Sequence, residues 1–456
     1  MVDDSLLPPT IALKTHDLAR QKACATQTLF PGTCVVTVEA LETALLPSEK
    51  GQRCDFCLCR PLEAKRLARC SGCAEFWYCG PICQKMQWNK HHRRICKRYN
   101  RYLASQEYQS LSISERVDSA LLSHLAAATL SPESDRVGLQ AKLSAPALVF
   151  FDLMKGPVVN RRSLPLVGLD SSNRTFVEGA EDMYSRFGNN NFIVHSHLNS
   201  CAHGIFPLAS RLFNHSCDPN CVAKYRFTRG KPVIMEVVAI STIAMSEELT
   251  IPYLDPALPF QTRQEALSVN YGFRCSCSVC TFQKNVSAPP PHANLETELC
   301  DFVDSHIIPL YPSQDSKMEQ GDTIGTRRSL PDRLYPVLHA DYLPGLAEEF
   351  SRASHEGEYD RALASGRTLL ALYFVLYPPY YPQIGMHALE ITKTAWNAVV
   401  TCEQEHGDNV VRVTEYEKLA RFYYNVTVGV IELLGPEGDE GGPLEELHVM
   451  RSLLQP

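Results

Sequence analysis

Residues 214–220 read NHSCDPN and residues 275–280 read CSCSVC. The first run sets two amides, an imidazole, a thiol and a carboxylate within one turn's length. Turn propensity accounts for Asp218 and Pro219; it does not account for Asn214, His215 and Cys217. In the second run, Cys275, Cys277 and Cys280 offer three thiolates, one short of a tetrahedral zinc, so the fourth ligand must come from elsewhere and Cys217 is the natural candidate. A denser group lies upstream, where the chain reads Cys54-x-x-Cys57, Cys70-x-x-Cys73 and Cys79-x-x-x-Cys83, followed by His91, His92 and Cys96. A C-x-x-C turn brings two thiolates onto one metal at about 2.3 Å, and seven cysteines with one histidine complete two closed zinc sites. On a helix His92 and Cys96 are four apart and share a face, which favours His92 over His91. Cys59 has no paired position and reads as a free or buried thiol.

The rest of the cysteine distribution agrees with metal binding. Of eighteen cysteines, eight lie in 54–96, three in 275–280, and seven are scattered. A reducing compartment disfavours disulfides, and no stretch approaches the ~20 apolar residues of a membrane span. The start MVDDSLLPPT lacks a basic segment before an apolar core, so the expectation is a soluble, intracellular monomer, in nucleus and cytoplasm, with no membrane association. On that expectation, the glycosylation-like tripeptides at Asn285 and Asn425 are accidental. The net charge of −7 hides a gradient: residues 51–101 carry twelve Lys or Arg against three Asp or Glu, whereas 340–456 carry eight against eighteen. The basic part is either a solvated surface or a face for an acidic partner or nucleic acid, and composition leaves these open.

The elements that must position these groups can be sketched from periodicity. TCVVTV, with a turn at Pro31-Gly32, reads as strand and hairpin. SERVDSALLSHLAAATL has helical spacing, and ALVFFDL, NNFIVHSH, KPVIMEVVAI and ELTIPY are strand-like. NVSAPPPHANLETE reads as a polar, proline-rich linker. Beyond it, three apolar segments of helical period separated by turns predict helical hairpins in series, with no period that one sequence establishes.

With WYCG leading into Cys83 and Gln84-Lys85-Met86-Gln87-Trp88 after it, the finger resembles the MYND zinc finger. That resemblance implies cross-braced coordination: Cys54, Cys57, Cys79 and Cys83 on one zinc, and Cys70, Cys73, His92 and Cys96 on the other. In the family the histidine lies eight residues after the cysteine matching Cys83 and four before the last. This chain has one extra residue, so His91 meets the first spacing and His92 the second. MYND fingers are mainly protein-binding modules that recognise proline-rich peptides, which implies such a partner here.

The run GIFPLASRLFNHSCDPN, with EELTIPYLD and NYGFRCSCSVC, resembles the SET domain of the SET-and-MYND (SMYD) protein-lysine methyltransferases over residues 20–283. The implied fold class is α+β: a β-rich SET domain with an inserted MYND finger and a helical insert, then an all-α TPR-like C-terminal domain. Expected boundaries are 1–50 for the first part of the SET domain, 51–97 for the finger, 98–188 for the helical insert and 189–255 for the SET core. A zinc segment after the core (256–283), a linker (284–330) and the helical domain (331–456) follow. The implied cofactors are S-adenosylmethionine and three zinc ions; the implied partner is a protein bearing a target lysine, on a histone or another protein. The resemblance assigns Asn214, His215, Asn190 (of an N-x-F motif) and Phe273 to the cofactor, Tyr253 to catalysis, and Tyr271 to the lysine channel. Methyl transfer to a neutral amine needs a narrow apolar channel and aligned oxygen contacts rather than a strong base, which suits tyrosines. The chain departs from the family at Ala19–Ala25, where a Gly-x-Gly segment normally lets backbone approach the cofactor. Either Gln21 or Lys22 replaces the lost contacts or cofactor affinity is lost, and the second case leaves a catalytically silent zinc adaptor.

Overall fold

The computed structural model describes residues 7–16, 19–62, 65–130, 144–156, 166–167, 174–287, 290–307, 330–405 and 410–454. In chain order, a hairpin of β1 (Ile11–Lys14) and β2 (Lys22–Ala25) leads to β3 (Cys34–Glu39) and β4 (Glu42–Leu45). The finger then contributes β5 (Ala68–Arg69), β6 (Trp77–Tyr78), α1 (Pro81–Gln87), a π-helical turn at Trp88–His92, and α2 (Arg93–Leu103). The insert adds α3 (Gln106–Gln109), α4 (Ile113–Thr129), α5 (Ala145–Asp152) and α6 (Arg174–Phe187). Next come β7 (Asn191–Ser196), β8 (Asn199–Ile205), α7 (Pro207–Leu212), β9 (Asn214–His215), β10 (Cys221–Arg226), β11 (Ile234–Ala239) and β12 (Thr250–Ile251). Helices α8 (Phe260–Tyr271), α9 (Ser278–Gln283), α10 (Leu295–His306), α11 (Tyr342–Glu356), α12 (Tyr359–Leu376), α13 (Pro382–Glu405), α14 (Val410–Leu434) and α15 (Pro443–Leu454) complete the described elements.

The strands form two antiparallel three-stranded sheets, β10–β11–β3 and β4–β8–β7, and a parallel pair, β12–β9. Each sheet face is buried against a different part of the chain. On β10 and β11, Tyr225, Met235 and Val237 join the core that also holds the finger cysteines. The alternate residues Val222 and Val238, directly opposite each other, enter the core of the helical domain with Leu299 and Leu372. Period-two alternation therefore buries both faces of one sheet, which explains why KPVIMEVVAI is nearly continuous in apolar residues. A third core packs Leu121, Leu122 and Leu125 of α4 against Leu41, Ala44 and Ile205 of the second sheet. Helix α4 starts where a capping box allows it: Ser112 accepts from the Glu115 main chain and Glu115 accepts from the Ser112 main chain.

Two expectations need correction. ALVFFDL is a helix, α5, rather than a strand. Pro146 in its first turn is pre-organised for a helix, and a continuous apolar run cannot be assigned by period alone. Ala147 and Phe150 face the insert core. The stretch taken as linker contains α10, whose Leu295, Leu299, Phe302 and Val303 recur at helical spacing and belong to the helical-domain core. The preceding prolines mask that signal, and residues 308–329 of the expected linker lie outside the described residues.

The segment after α14 straps the helical domain to the SET sheets. Lys224, on the same face of β10 as Val222, donates to the Leu434 carbonyl (2.5 Å) and the Pro436 carbonyl (3.0 Å) and pairs with Glu236 at 3.2 Å. A cation thus satisfies the bare carbonyls at a helix C-terminus. Gly438 donates its N–H to the Tyr225 carbonyl, and Arg53 of the finger makes a two-pronged ion pair with Asp439 at 2.8 and 2.7 Å. Gly438 has φ +58°, and a Cβ there would lie 2.7 Å from the Ser196 main chain. Gly438→Ala should therefore cost several kcal/mol, on the order of 3, from left-handed strain plus overlap. By contrast Gly429, exposed inside α14 with nothing within 4 Å of an added Cβ, should gain about 1 kcal/mol on replacement by alanine. Thermal or urea unfolding of both variants checks the pair; equal effects would remove the strap from the stability argument.

Candidate functional site

The three cysteine-rich groups close in space. Cys54, Cys57, Cys79 and Cys83 form one cluster, Cys70, Cys73, His92 and Cys96 a second, and Cys217, Cys275, Cys277 and Cys280 a third, with all ligand atoms of each within 4.8 Å of one another. Cys57 and Cys79 sulfurs are 3.6 Å apart, Cys57 and Cys83 3.8 Å, Cys70 and Cys96 3.8 Å, and Cys217 and Cys280 3.5 Å. A tetrahedron with zinc–sulfur bonds of about 2.3 Å has edges of about 3.8 Å. The donor sets and their spacing fit three zinc ions. Crowding couples these thiols: the neighbouring sulfurs raise Cys217 above, and hold Cys277 below, the ordinary thiol value. The interleaving of the first two clusters reproduces the cross-brace implied by the resemblance to the MYND finger.

The histidine question is answered by local backbone. The extra residue lies in the π-helical turn Trp88–His92, which adds one residue to a helical turn between α1 and α2. The bulge precedes His92, so His92 keeps its four-residue relation to Cys96, with Nε2 at 3.4 Å from Cys70 Sγ and 3.6 Å from Cys73 Sγ. Burial pushes the His92 imidazole down to about 3, with His91 and Lys50 adding to the effect, so the ring is neutral and available to a metal. His91 is turned the other way. Its Nδ1 lies 3.1 Å from Glu42 of β4, and its ring stacks on His124 of α4 at 4.2 Å and 12°. His124 Nδ1 donates in turn to the Thr43 carbonyl at 2.9 Å. Burial works to raise the Glu42 carboxyl, but Lys90 and His91 outweigh it and leave it below its ordinary value. Glu42, His91 and His124 are close enough to suggest a metal group. Their stacked rings hold the lone pairs in nearly parallel planes that do not converge on one ion, so the trio is a buried polar joint between finger, sheet and insert. Sequence reasoning missed this joint because its members lie far apart in the chain and carry no motif.

The third cluster adjoins the residues expected to carry chemistry. Parallel pairing sets Asn214 opposite Thr250 and His215 opposite Ile251, which places NHSC beside the strand leading to Tyr253. His215 Nδ1 accepts the Tyr253 main-chain N–H at 3.0 Å. An acceptor at Nδ1 leaves the proton on Nε2, which points at Cys217 Sγ, 3.2 Å away. One neutral imidazole therefore connects the zinc cluster to the tyrosine. Tyr253 donates its hydroxyl to the Phe213 carbonyl at 2.7 Å, and its ring centroid lies 4.9 Å from Tyr271 and 5.3 Å from His215. Phe273 lies 6.0 Å from His215 and 6.4 Å from Tyr271. Tyr271 closes α8, and Gly272, at φ +76°, turns the chain so that Phe273 joins the same group.

Asn214 spends both amide protons inside the protein, on the Gln21 carbonyl (3.1 Å) and Glu248 Oε1 (2.8 Å). Gln21 is itself held by Arg211, which donates to its side-chain oxygen, while Lys22 opens β2. Of the two residues considered as substitutes for the missing glycines, Gln21 is the one bound to the site. Asn190 stands apart: its amide donates to the Arg186 carbonyl at the end of α6 (2.7 Å) and to the Met154 carbonyl (3.5 Å), and it makes no hydrogen bond to the Asn214–Phe273 group among the described residues. Sequence reasoning did not single out Glu248, Phe213 or Arg211, although Arg211 and Phe213 lie within GIFPLASRLFNHSCDPN and Glu248 within EELTIPYLD.

The SET domain family model matches residues 22–254, just over half of the chain. The chain belongs to the SET-domain family. Similar proteins include N-lysine methyltransferase SMYD2-B of Xenopus laevis, 27% identical over 263 residues (56% of this chain, 57% of that protein). Histone-lysine N-methyltransferase ASHR1 of Arabidopsis thaliana is 30% identical over 240 residues (50% and 46%), and histone-lysine N-methyltransferase SMYD3 of Mus musculus 29% over 275 residues (56% and 58%). The chain spans about half of the length of these relatives. The solved structure of Rubisco LSMT bound to AdoMet covers 84% of this chain and 88% of its own, at 11% identity and a TM-score of 0.24, a likeness too slight to support fold or cofactor.

The clusters predict about three zinc ions per chain. His92→Ala and Cys217→Ser should each release one, whereas His91→Ala should keep three and lower the melting temperature, because it removes one of the two partners of the buried Glu42 carboxylate and leaves Lys90 alone to hold it. Metal analysis beside thermal unfolding checks all three; loss of zinc from His91→Ala would move the ligand assignment one residue.

Proposed function

We propose that this SET-domain protein is an S-adenosylmethionine-dependent protein-lysine methyltransferase acting on a histone or another protein. The observation that carries the reading is the convergence of Tyr253, Tyr271, His215 and Phe273 around the β9–β12 joint. The donor set suits a cofactor that bears positive charge: aromatic faces, and an Asn214 side chain whose protons are already committed, so that its oxygen is the group left to meet a ligand. S-adenosylmethionine, when bound, supplies an electrophilic methyl group on a sulfonium. The residues of the chain then have separate tasks. Tyr253 and Tyr271 wall a channel for the aliphatic stem of lysine, and the Tyr253 hydroxyl is aimed by its bond to the Phe213 carbonyl. Burial raises both tyrosine hydroxyls, with Tyr271 and Glu248 adding to the effect at Tyr253, so they stay protonated and neither serves as a base. The amine would have to reach that methyl group neutral, and with both hydroxyls protonated the lysine proton would pass to water rather than to either tyrosine. Turnover should therefore rise with pH from about 7 to about 9, as more of the substrate lysine, of ordinary pKa about 10.4, is deprotonated.

Further parts of the reading follow from the surface. Ile82, Met86 and Trp88 leave large apolar side chains exposed along the finger helix, which suits a proline-rich peptide partner. Action in nucleus and cytoplasm is the corresponding location; among the described residues no helix is long and apolar enough to cross a membrane. The alternative, a silent zinc adaptor, draws on Gln21, whose side chain is fixed by Arg211 in the stretch that lacks the family's Gly-x-Gly segment.

Tyr253→Phe should lower kcat by about tenfold to a hundredfold with little change in cofactor affinity, whereas Asn214→Ala should weaken that affinity by about tenfold. Calorimetric titration with S-adenosylmethionine, beside methylation of a lysine-containing protein pool, separates the two. A wild-type chain that binds no cofactor at millimolar concentration would replace the enzyme by the adaptor.

A further inference from the structure

Two arginines in this molecule direct their guanidinium groups at sulfur. Arg263, on α8, is 1% exposed and is the largest fully buried side chain among the described residues. Its Nε lies 3.3 Å from Cys217 Sγ and its Nη2 3.9 Å from Cys280 Sγ. The remaining N–H groups go to neutral acceptors: the Pro256 carbonyl (3.0 Å), the Leu258 carbonyl and Gln283 Oε1 (2.5 Å). A buried cation needs a counter-charge, and the sulfurs are the anionic groups it touches. Arg229, in the turn between β10 and β11, repeats the arrangement at the finger. Its Nη1 donates to Cys79 Sγ at 3.2 Å and its Nη2 to the Arg60 carbonyl at 2.6 Å, although Arg229 and Cys79 are 150 residues apart.

These are the two clusters built of four cysteines. Four thiolates outnumber the charges of one zinc ion and leave a dianion, whereas the cluster with His92 leaves one charge fewer. We propose that Arg263 and Arg229 are cationic caps on the two four-thiolate zinc sites. N–H donors on a zinc-bound thiolate draw charge from sulfur, strengthen retention of the metal against electrophiles and make the sulfur a poorer nucleophile. Cys217 receives two such donors, Arg263 and His215 Nε2–H. His215 in turn fixes the Tyr253 main chain, and Arg263 fixes the Pro256 and Leu258 carbonyls just beyond it. The cap therefore joins the zinc cluster to the segment that carries the tyrosine from both sides. The proposal rests on the zinc assignment alone, so its test is independent of whether methyl transfer occurs.

The test uses the full, zinc-loaded chain and iodoacetamide, which alkylates a thiolate with loss of iodide. Zinc release is followed with a chromogenic chelator, and modified cysteines are mapped by mass spectrometry. Arg263→Gln should begin with three zinc ions, release one at least about tenfold faster than wild type, and carry the label on the Cys217–Cys280 cluster. Arg229→Gln should do the same at Cys79, and Arg263→Lys, which keeps the charge but loses the fork, should fall between. In cobalt-exchanged protein, Arg263→Gln should shift the sulfur-to-metal charge-transfer band to lower energy, a signature that looser packing alone would not give. Unchanged release rates and band position in Arg263→Gln would overturn the cap there. If that variant does not fold, Arg229→Gln at its half-buried site decides: release and labelling at the wild-type rate would overturn the proposal.

Discussion

The hydrogen bond from the Tyr253 main chain to His215 Nδ1 is the constraint on which the site depends. It fixes the tautomer, the tautomer aims Nε2–H at Cys217, and Cys217 is a ligand of the third cluster. Two strands of two residues each could not hold this arrangement alone, since isolated short pairings are marginal. Metal ligation on one side and aromatic packing on the other supply what the backbone pairing lacks. The third cluster thus belongs to the scaffold of the proposed site: it sets where the NHSC segment sits, and through it where the aromatic group of Tyr253, Tyr271 and Phe273 forms.

The same economy runs through the sheets. The β10–β11 pair serves two cores at once, with Met235 and Val237 facing the finger side and Val222 and Val238 facing the helical domain. Because side chains alternate, a one-residue slip in that pair would exchange the two sets and spoil both cores together. Lys224 and Glu236, opposite each other on the same face, place an ion pair where the apolar contact ends and tie it to the carbonyls after α14. The finger is similarly committed, with its ligands inside the main core and its Arg53, His91 and Cys79 each bound to another part of the chain.

What was legible in the sequence is what depends on local spacing. C-x-x-C pairs, the four-residue relation of His92 to Cys96, and the alternation of TCVVTV and NNFIVHSH all carry their geometry in short stretches. Cys217 was legible by a different route, from the valence left open by three cysteines. ALVFFDL was not legible, because an apolar run without polar interruption has no period, and its helix is set by Pro146 and by the insert core it fills. Nor were Glu42 with His124, or Arg263 with Cys217, since each partnership is made by tertiary packing between residues 46 to 82 positions apart. Asn190 lies in the expected motif text, and its amide is engaged with the Arg186 carbonyl near the end of α6 and with the Met154 carbonyl.

The strap has a consequence for how the molecule is made. Asp439 leaves the ribosome 386 residues after Arg53, with which it pairs, and Gly438 closes onto Tyr225 only then. At the usual synthesis rate of roughly 5–20 residues per second, the finger and sheets wait about 20 to 80 seconds for that partner. During the wait, Lys224 has only Glu236 and Arg53 only Glu49 as a charged partner, and the carbonyls and carboxylate of the strap are missing from both. The contacts between the SET half and the end of the chain are therefore the last to form during synthesis, and they close only when the last turn of α14 and the strap emerge and dock.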